Sequence, residues 1–114
     1  MEEKRDKLEI KLVLAAKSGE LSAFNDLVRR HQKGVKAVAF SFLGRAHDAD
    51  DVTQEAFLRA FQKLDTLRPP FNFGAWVRQI ADCLHLLRIY NYLNRRHGII
   101  FVFKLFPLQL LIPG

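Results

Sequence analysis

The residues of this chain that could hold or move charge form one cluster and several loners. Asp48, Asp50, Asp51 and Glu55 stand close together and are of the types that bind calcium. A calcium loop needs oxygen ligands at alternating positions and a glycine at the sixth. Counted from Asp48, Val52 takes the fifth position and Thr53 the sixth, so calcium is not expected. His31, His47, His85 and His97 read as isolated, with no metal-ligand set around any of them. Cys83 is the single cysteine, which excludes an internal disulfide and a cysteine-rich zinc site. No nucleophile, base and orienting group occur together, and no phosphate-cradling loop is present. The sequence therefore leads to no metal, no cofactor and no enzyme, and what remains is recognition.

The acidic cluster makes better sense as the start of a helix. Asp48 is the expected N-cap, with Asp50 and Asp51 favourable at the positive end of the helix dipole. From Ala49 to Leu64 the chain reads ADDVTQEAFLRAFQKL. Val52, Ala56, Phe57, Ala60, Phe61 and Leu64 make an apolar stripe at helical spacing. Asp51, Gln54, Glu55, Leu58 and Gln62 fall on the other side. A wet outer face would account for that side. So would a docking face with a polar rim and Leu58 as its one apolar anchor.

The other elements follow from the same periodicity. Residues 1–7 are mostly charged and expected to fray, and Leu8, Leu12, Ala15 and Ala16 mark a short helix that Gly19 ends. Ser22 is the preferred cap of a second, long helix. Its stripe runs Phe24, Leu27, Val28, His31, Val35, Val38 and Phe42, and Gly44 closes it. His31, on that stripe, reads as a packing histidine rather than a ligand. Gly34 within the helix points either to close helix approach or to mere tolerance. Pro69 and Pro70 break the pattern in LRPPFN and stiffen the loop. Arg68, Phe71 and Phe73 around them could stack an unpaired base or plug the end of the core. A fourth helix begins near Asn72 or Phe73, with Phe73, Trp76, Val77, Ile80, Ala81, Leu84 and Leu87 inward.

With 114 residues, 49% hydrophobic and 26% charged, the chain suits one globular domain. A net charge of +6 permits a polyanionic partner such as nucleic acid. The charged start, MEEKRDKLEIK, is unlike a secretory signal, so a cytoplasmic location is expected.

Three ordered blocks carry a resemblance: GELSAFNDLVRRHQKGV, then DDVTQEAFLRAF with QKLDTLR, then FGAWVRQIA. Together, over residues 11–84, they resemble conserved region 2 of bacterial sigma factors, nearest the extracytoplasmic-function (ECF) group of the sigma-70 family. The resemblance implies an all-α bundle of about four helices over residues 8–96. It implies docking on the β′ coiled coil of core RNA polymerase and recognition and melting of the promoter −10 element on the non-template strand. An anti-sigma factor is a further partner that it admits. Asp51, Gln54 and Glu55 match the family's polymerase-binding motif, and Leu58 and Gln62 extend that face. The DNA side would draw on Leu67, Arg68, Phe71, Asn72, Arg78, Gln79, Cys83 and Arg88. Arg95 and Arg96 are further sources of phosphate contacts.

The match weakens from Asp82 onward, where relatives usually have asparagine at Cys83 and polar or basic residues at His85, Leu86 and Leu87. Leu67 stands where an aromatic is often found. These departures favour a rival reading, an interaction module or decoy that docks on polymerase without recognising a promoter. Residues 97–114 include the apolar run IIFVFKLFPLQLLI and read as a non-homologous, irregular tail of a gene truncated or frame-shifted near Leu84. The run is too short for a membrane span, which takes about 20 residues. An interfacial anchor helped by Arg95, Arg96 and Lys104 is the third reading, and membrane association is not the expected one. The helix-turn-helix of region 4, which reads the −35 element in the family, is expected to be absent.

Overall fold

The computed structural model describes residues 2–97, with side chains described for residues 7–93. Four α-helices follow one another: α1 (Glu2–Lys17), α2 (Leu21–Leu43), α3 (Ala46–Gln62) and α4 (Phe73–His97), with a 3-10 turn at Leu64–Thr66. Among the described residues there is no strand. The long α2 packs against all three other helices, and α3 packs on α4. This is the all-α bundle expected from the periodicity. The apolar tail, whether irregular segment or anchor, lies outside the described residues. No described helix is long and apolar enough to cross a membrane.

The core is assembled from the predicted stripes. Phe24, Leu27 and Val35 of α2, Val52, Ala56, Phe57 and Ala60 of α3, and Phe73, Trp76, Val77, Ile80, Ala81 and Leu84 of α4 are all buried. Phe73 is its hub. Its ring lies 5.9 Å from Phe24, 6.4 Å from Phe57 and 6.0 Å from Trp76, centroid to centroid. Edge-on and offset ring pairs of this kind add to the burial of apolar area.

Several local expectations are corrected. α1 is helical from Glu2, and among its described side chains Val13 and Ala16 are buried, while Leu8 stays exposed. α2 is preceded by Glu20 rather than capped by Ser22. α3 begins two residues before Asp48, so Asp48 sits in its first turn, where it still meets the helix dipole favourably. Phe42, at the last turn of α2, is half-exposed and stacks on His85 at 4.8 Å instead of entering the core. The helix stops do follow the glycines. Gly19 and Gly44 adopt φ of 107° and 70°, and the Gly44 amide donates to the Phe40 carbonyl at 2.8 Å.

Close helix approach occurs at Gly74, not at Gly34. A Cβ on Gly74 would lie 2.8 Å from the His31 ring, whereas one on Gly34 would meet only Arg78 Nη1, at 3.9 Å. Only a residue without a side chain lets the start of α4 pass over His31.

Candidate functional site

Two surfaces collect the residues that the sequence singles out. The first is the outer face of α3. Asp51, Gln54 and Leu58 are exposed, Glu55 is half-exposed, and Gln62 is exposed one turn beyond Leu58. At about 100° per residue these five side chains share roughly a third of the helix circumference. Leu58, 57% exposed, stands near the middle of the arc. The polar groups around it are partly held from behind. Arg59 Nη2 donates to Glu55 Oε1 at 3.4 Å, His47 Nε2 lies 3.6 Å from Asp51 Oδ2, and Lys36 Nζ lies 2.8 Å from Asp50 Oδ1. His47 is thus not isolated: the turn of α3 brings it to Asp51, four residues on. These exposed pairs orient the acids more than they stabilise the fold.

Phe61 extends this face. The periodicity places it in the buried stripe, yet it is 50% exposed, with its ring edge-on to Phe24 at 5.1 Å. Beside it a cleft is lined by Lys17, Leu21, Gln62 and Leu64. The face therefore carries two large apolar side chains, Leu58 and Phe61, amid acidic and amide groups. Apolar anchors with a polar rim are the anatomy of a protein-binding surface.

The second surface runs from the 67–72 loop into α4. Arg68, Pro69, Pro70 and Asn72 are exposed, and Phe71 is half-buried against the core. The Pro69–Pro70 peptide bond is cis, and Phe71 adopts a φ of +53°. Asn72 caps α4, its Oδ1 accepting from the Ala75 amide at 3.3 Å. The loop is braced from α1: Lys17 Nζ donates to the Leu67 carbonyl at 2.6 Å and lies 5.2 Å from the centre of the Phe71 ring. A cleft between α1 and the loop is lined by Glu9, Ile10, Pro70, Phe71 and Asn72. Glu9 also pairs with His31, whose ring tilts against Phe73 at 5.6 Å. His31 is the packing histidine expected from its stripe, with a carboxylate partner supplied across the bundle.

Not all the residues expected on the DNA side reach this surface. Leu67 and Cys83 are 6% and 5% exposed, so their side chains belong to the interior. Leu67 is drawn in because the 3-10 turn aims it at the core, and Cys83 because α4 is covered on that side. Gln79 is exposed, while Arg78 and Arg88 are half-buried. Arg78 reaches over Gly34 at the seam between α2 and α4. Gln79 and Arg88, nine residues apart on one helix, point about half a turn away from each other. Among the described residues none of Arg68, Arg78 and Arg88 makes an ion pair, so their charge is available to an anion.

Beyond that surface, Asp82 and His85 each keep one buried polar atom, Oδ1 and Nδ1, without a hydrogen bond. Burial pushes the Asp82 carboxyl above its ordinary pKa, and His85 opposes the shift. Burial, and then the Asp82 charge, raise the Cys83 thiol, which makes it a poor nucleophile. Among the described residues no group of histidine, cysteine and carboxylate side chains could hold a metal ion.

Residues 27–98 match the family described as Sigma-70 region 2. The chain belongs to that family. The matched span contains α3, the loop and α4, so both candidate surfaces lie within it, and it continues past Leu84 to residue 98. Among curated proteins the chain is 33% identical over 79 residues to the ECF RNA polymerase sigma factor SigW of Bacillus subtilis, covering 69% of this chain and 42% of that one. It is 35% identical over 66 residues to the ECF RNA polymerase sigma factor SigE of Mycolicibacterium smegmatis, covering 58% of this chain and 25% of the relative. To the ECF RNA polymerase sigma-E factor of Escherichia coli K12 it is 37% identical over 70 residues, 61% of this chain and 36% of the relative. The chain thus spans less than half the length of these relatives. It is a region 2 domain of the ECF type.

The sequence gives little sign of the residues that support this domain's loop. Lys17 and Glu9 sit on α1, outside the matched span, and act on residues far along the chain, where periodicity carries no information. Gly74 carries no signal of its own in the sequence, since the ring it passes over belongs to another helix.

Proposed function

We infer that this region 2 domain docks on core RNA polymerase through the α3 face and presents the 67–72 loop and α4 to promoter DNA in transcription initiation. The observation that carries the reading is the α3 face itself. Asp51, Gln54 and Glu55, which match the family's polymerase-binding motif, surround an exposed Leu58 on one arc of a helix whose opposite side is core. The acids would pair with basic groups of the β′ coiled coil, Gln54 would exchange hydrogen bonds, and Leu58 would be desolvated at the centre.

On the DNA side, Arg68, Arg78 and Arg88 supply cations for phosphates of the non-template strand of the −10 element. Phe71 and Asn72 on the braced loop offer a stacking face and an amide for an unpaired base. Opening the duplex would be conformational work, in which bases are captured as they unstack, and no residue needs to make or break a covalent bond. An anti-sigma factor could cover either surface.

A second reading, docking without promoter recognition, is favoured by the burial of Leu67 and Cys83 and by the divergent orientations of Gln79 and Arg88. The two readings separate in one assay. Core polymerase is loaded with the chain and offered a library of single-stranded oligonucleotides. Retention above that of core alone, reduced by Arg78→Ala/Arg88→Ala, supports −10 capture. Retention equal to that of core alone leaves docking as the whole function.

A further inference from the structure

We propose that Lys17 is the positioning residue for the DNA-reading loop, pinning both ends of the 67–71 segment to α1 with one ammonium group. This rests on the promoter reading given above and adds to it a residue outside the span matched to the family. Lys17 ends α1, where a cation would ordinarily sit over its own helix's last carbonyls. Instead its Nζ crosses to the Leu67 carbonyl at 2.6 Å, fifty residues further along the chain. That carbonyl follows the 3-10 turn and has no helix to satisfy it. The same Nζ lies 5.2 Å from the centre of the Phe71 ring, a cation over an aromatic face.

The loop needs such a brace. Phe71 holds φ at +53°, a region that bulky residues rarely enter unless their surroundings impose it. The local backbone bonds are few: the Leu67 amide donates to the Leu64 carbonyl at 3.1 Å, and the Phe71 and Phe73 amides donate to the Arg68 and Phe71 carbonyls, both at 2.9 Å. Between the two pinned residues, Arg68, Pro69 and Pro70 project to solvent. Holding Leu67 and Phe71 therefore sets the direction in which Arg68 and the face of Phe71 meet a nucleotide. Lys17 acts through these residues and needs no nucleotide contact of its own.

The test uses the full chain with core polymerase and a single-stranded −10 oligonucleotide. Lys17→Met keeps the aliphatic stem and removes the charge, Lys17→Gln is a second neutral variant should the first fail to fold, and Lys17→Arg keeps a cationic donor. The expected result is faster hydrogen exchange at the Phe71 and Phe73 amides and oligonucleotide affinity lower by about tenfold, the scale of one charge-assisted hydrogen bond. Oligonucleotide affinity is compared at saturating polymerase, and Lys17→Arg should recover most of the loss. Exchange at Phe71 and Phe73 equal to wild type, with or without a loss of oligonucleotide affinity, would overturn the proposal, because a cation that only touched phosphate would leave the loop's exchange unchanged. If the wild-type chain captures no oligonucleotide, it is the promoter reading that fails, and the exchange comparison alone then decides whether Lys17 pins the loop.

Discussion

Adding one methyl group to each of two glycines should shift stability in opposite directions. At Gly74 the new Cβ would stand 2.8 Å from both Cε1 and Nδ1 of His31 and 3.3 Å from Arg78 Nη1, closer than carbon atoms pack. His31 cannot simply swing aside, because Glu9 holds one edge of its ring and Phe73 packs against its face. Overpacking of this kind costs about 1–3 kcal/mol, and replacing glycine by alanine in a helix returns about 0.5–1 kcal/mol. The net expectation for Gly74→Ala is a loss of about 1 kcal/mol. At Gly34 the same Cβ makes only an ordinary contact at 3.9 Å, so Gly34→Ala should gain about 0.5–1 kcal/mol. Denaturant unfolding followed by far-UV circular dichroism measures both. In thermal melts each kcal/mol corresponds to about 4–8 °C for a domain of this size. A His31→Ala background should erase most of the cost at Gly74, because the clashing ring is gone. Equal stability of Gly74→Ala and Gly34→Ala would refute the packing of α4 over His31.

Two further perturbations probe chemistry rather than packing. Asp82 has its carboxyl pKa raised by burial, so the folded state binds that proton more tightly than the unfolded state. Between the ordinary carboxylate pKa and the raised one, stability therefore falls as pH rises. Asp82→Asn should stabilise the chain at neutral pH, with the gain fading as pH drops through that window. A gain that persists at low pH would contradict it. Leu58→Asp changes an exposed side chain, so unfolding should shift by no more than about 0.5 kcal/mol, while polymerase affinity drops by about tenfold or more, as for a central anchor. Titration of the variant against core polymerase, paired with its melting curve, checks both halves.

The bundle was legible because α2, α3 and α4 carry apolar stripes at helical spacing. Phe24, Leu27 and Val35 on α2, and Phe73, Val77, Ile80 and Leu84 on α4, recur at helical spacing and all enter the core. Leu58 was legible for the complementary reason, as an apolar residue off the stripe, and it is exposed. Edges of stripes were harder. Phe61 and Phe42 have the spacing of core residues but lie where a neighbouring helix covers only part of each ring. Leu67 and Cys83 fail in the other direction, since position in a motif does not reveal which way a turn or a covered helix face aims a side chain. The braces, Lys17 on Leu67 and Phe71 and Glu9 on His31, join residues distant in sequence. Such pairings depend on how helices dock, and nothing local encodes them.

The α3 face is the centre of the account, and binding to purified core RNA polymerase tests it most directly. The chain and its Gln54→Ala/Glu55→Lys variant would be titrated against core enzyme in parallel, with circular dichroism establishing that both are folded. Saturable binding by the chain, abolished in the folded variant, is the predicted result. Absence of binding by the folded chain, or binding that the double substitution leaves intact, would contradict docking through α3.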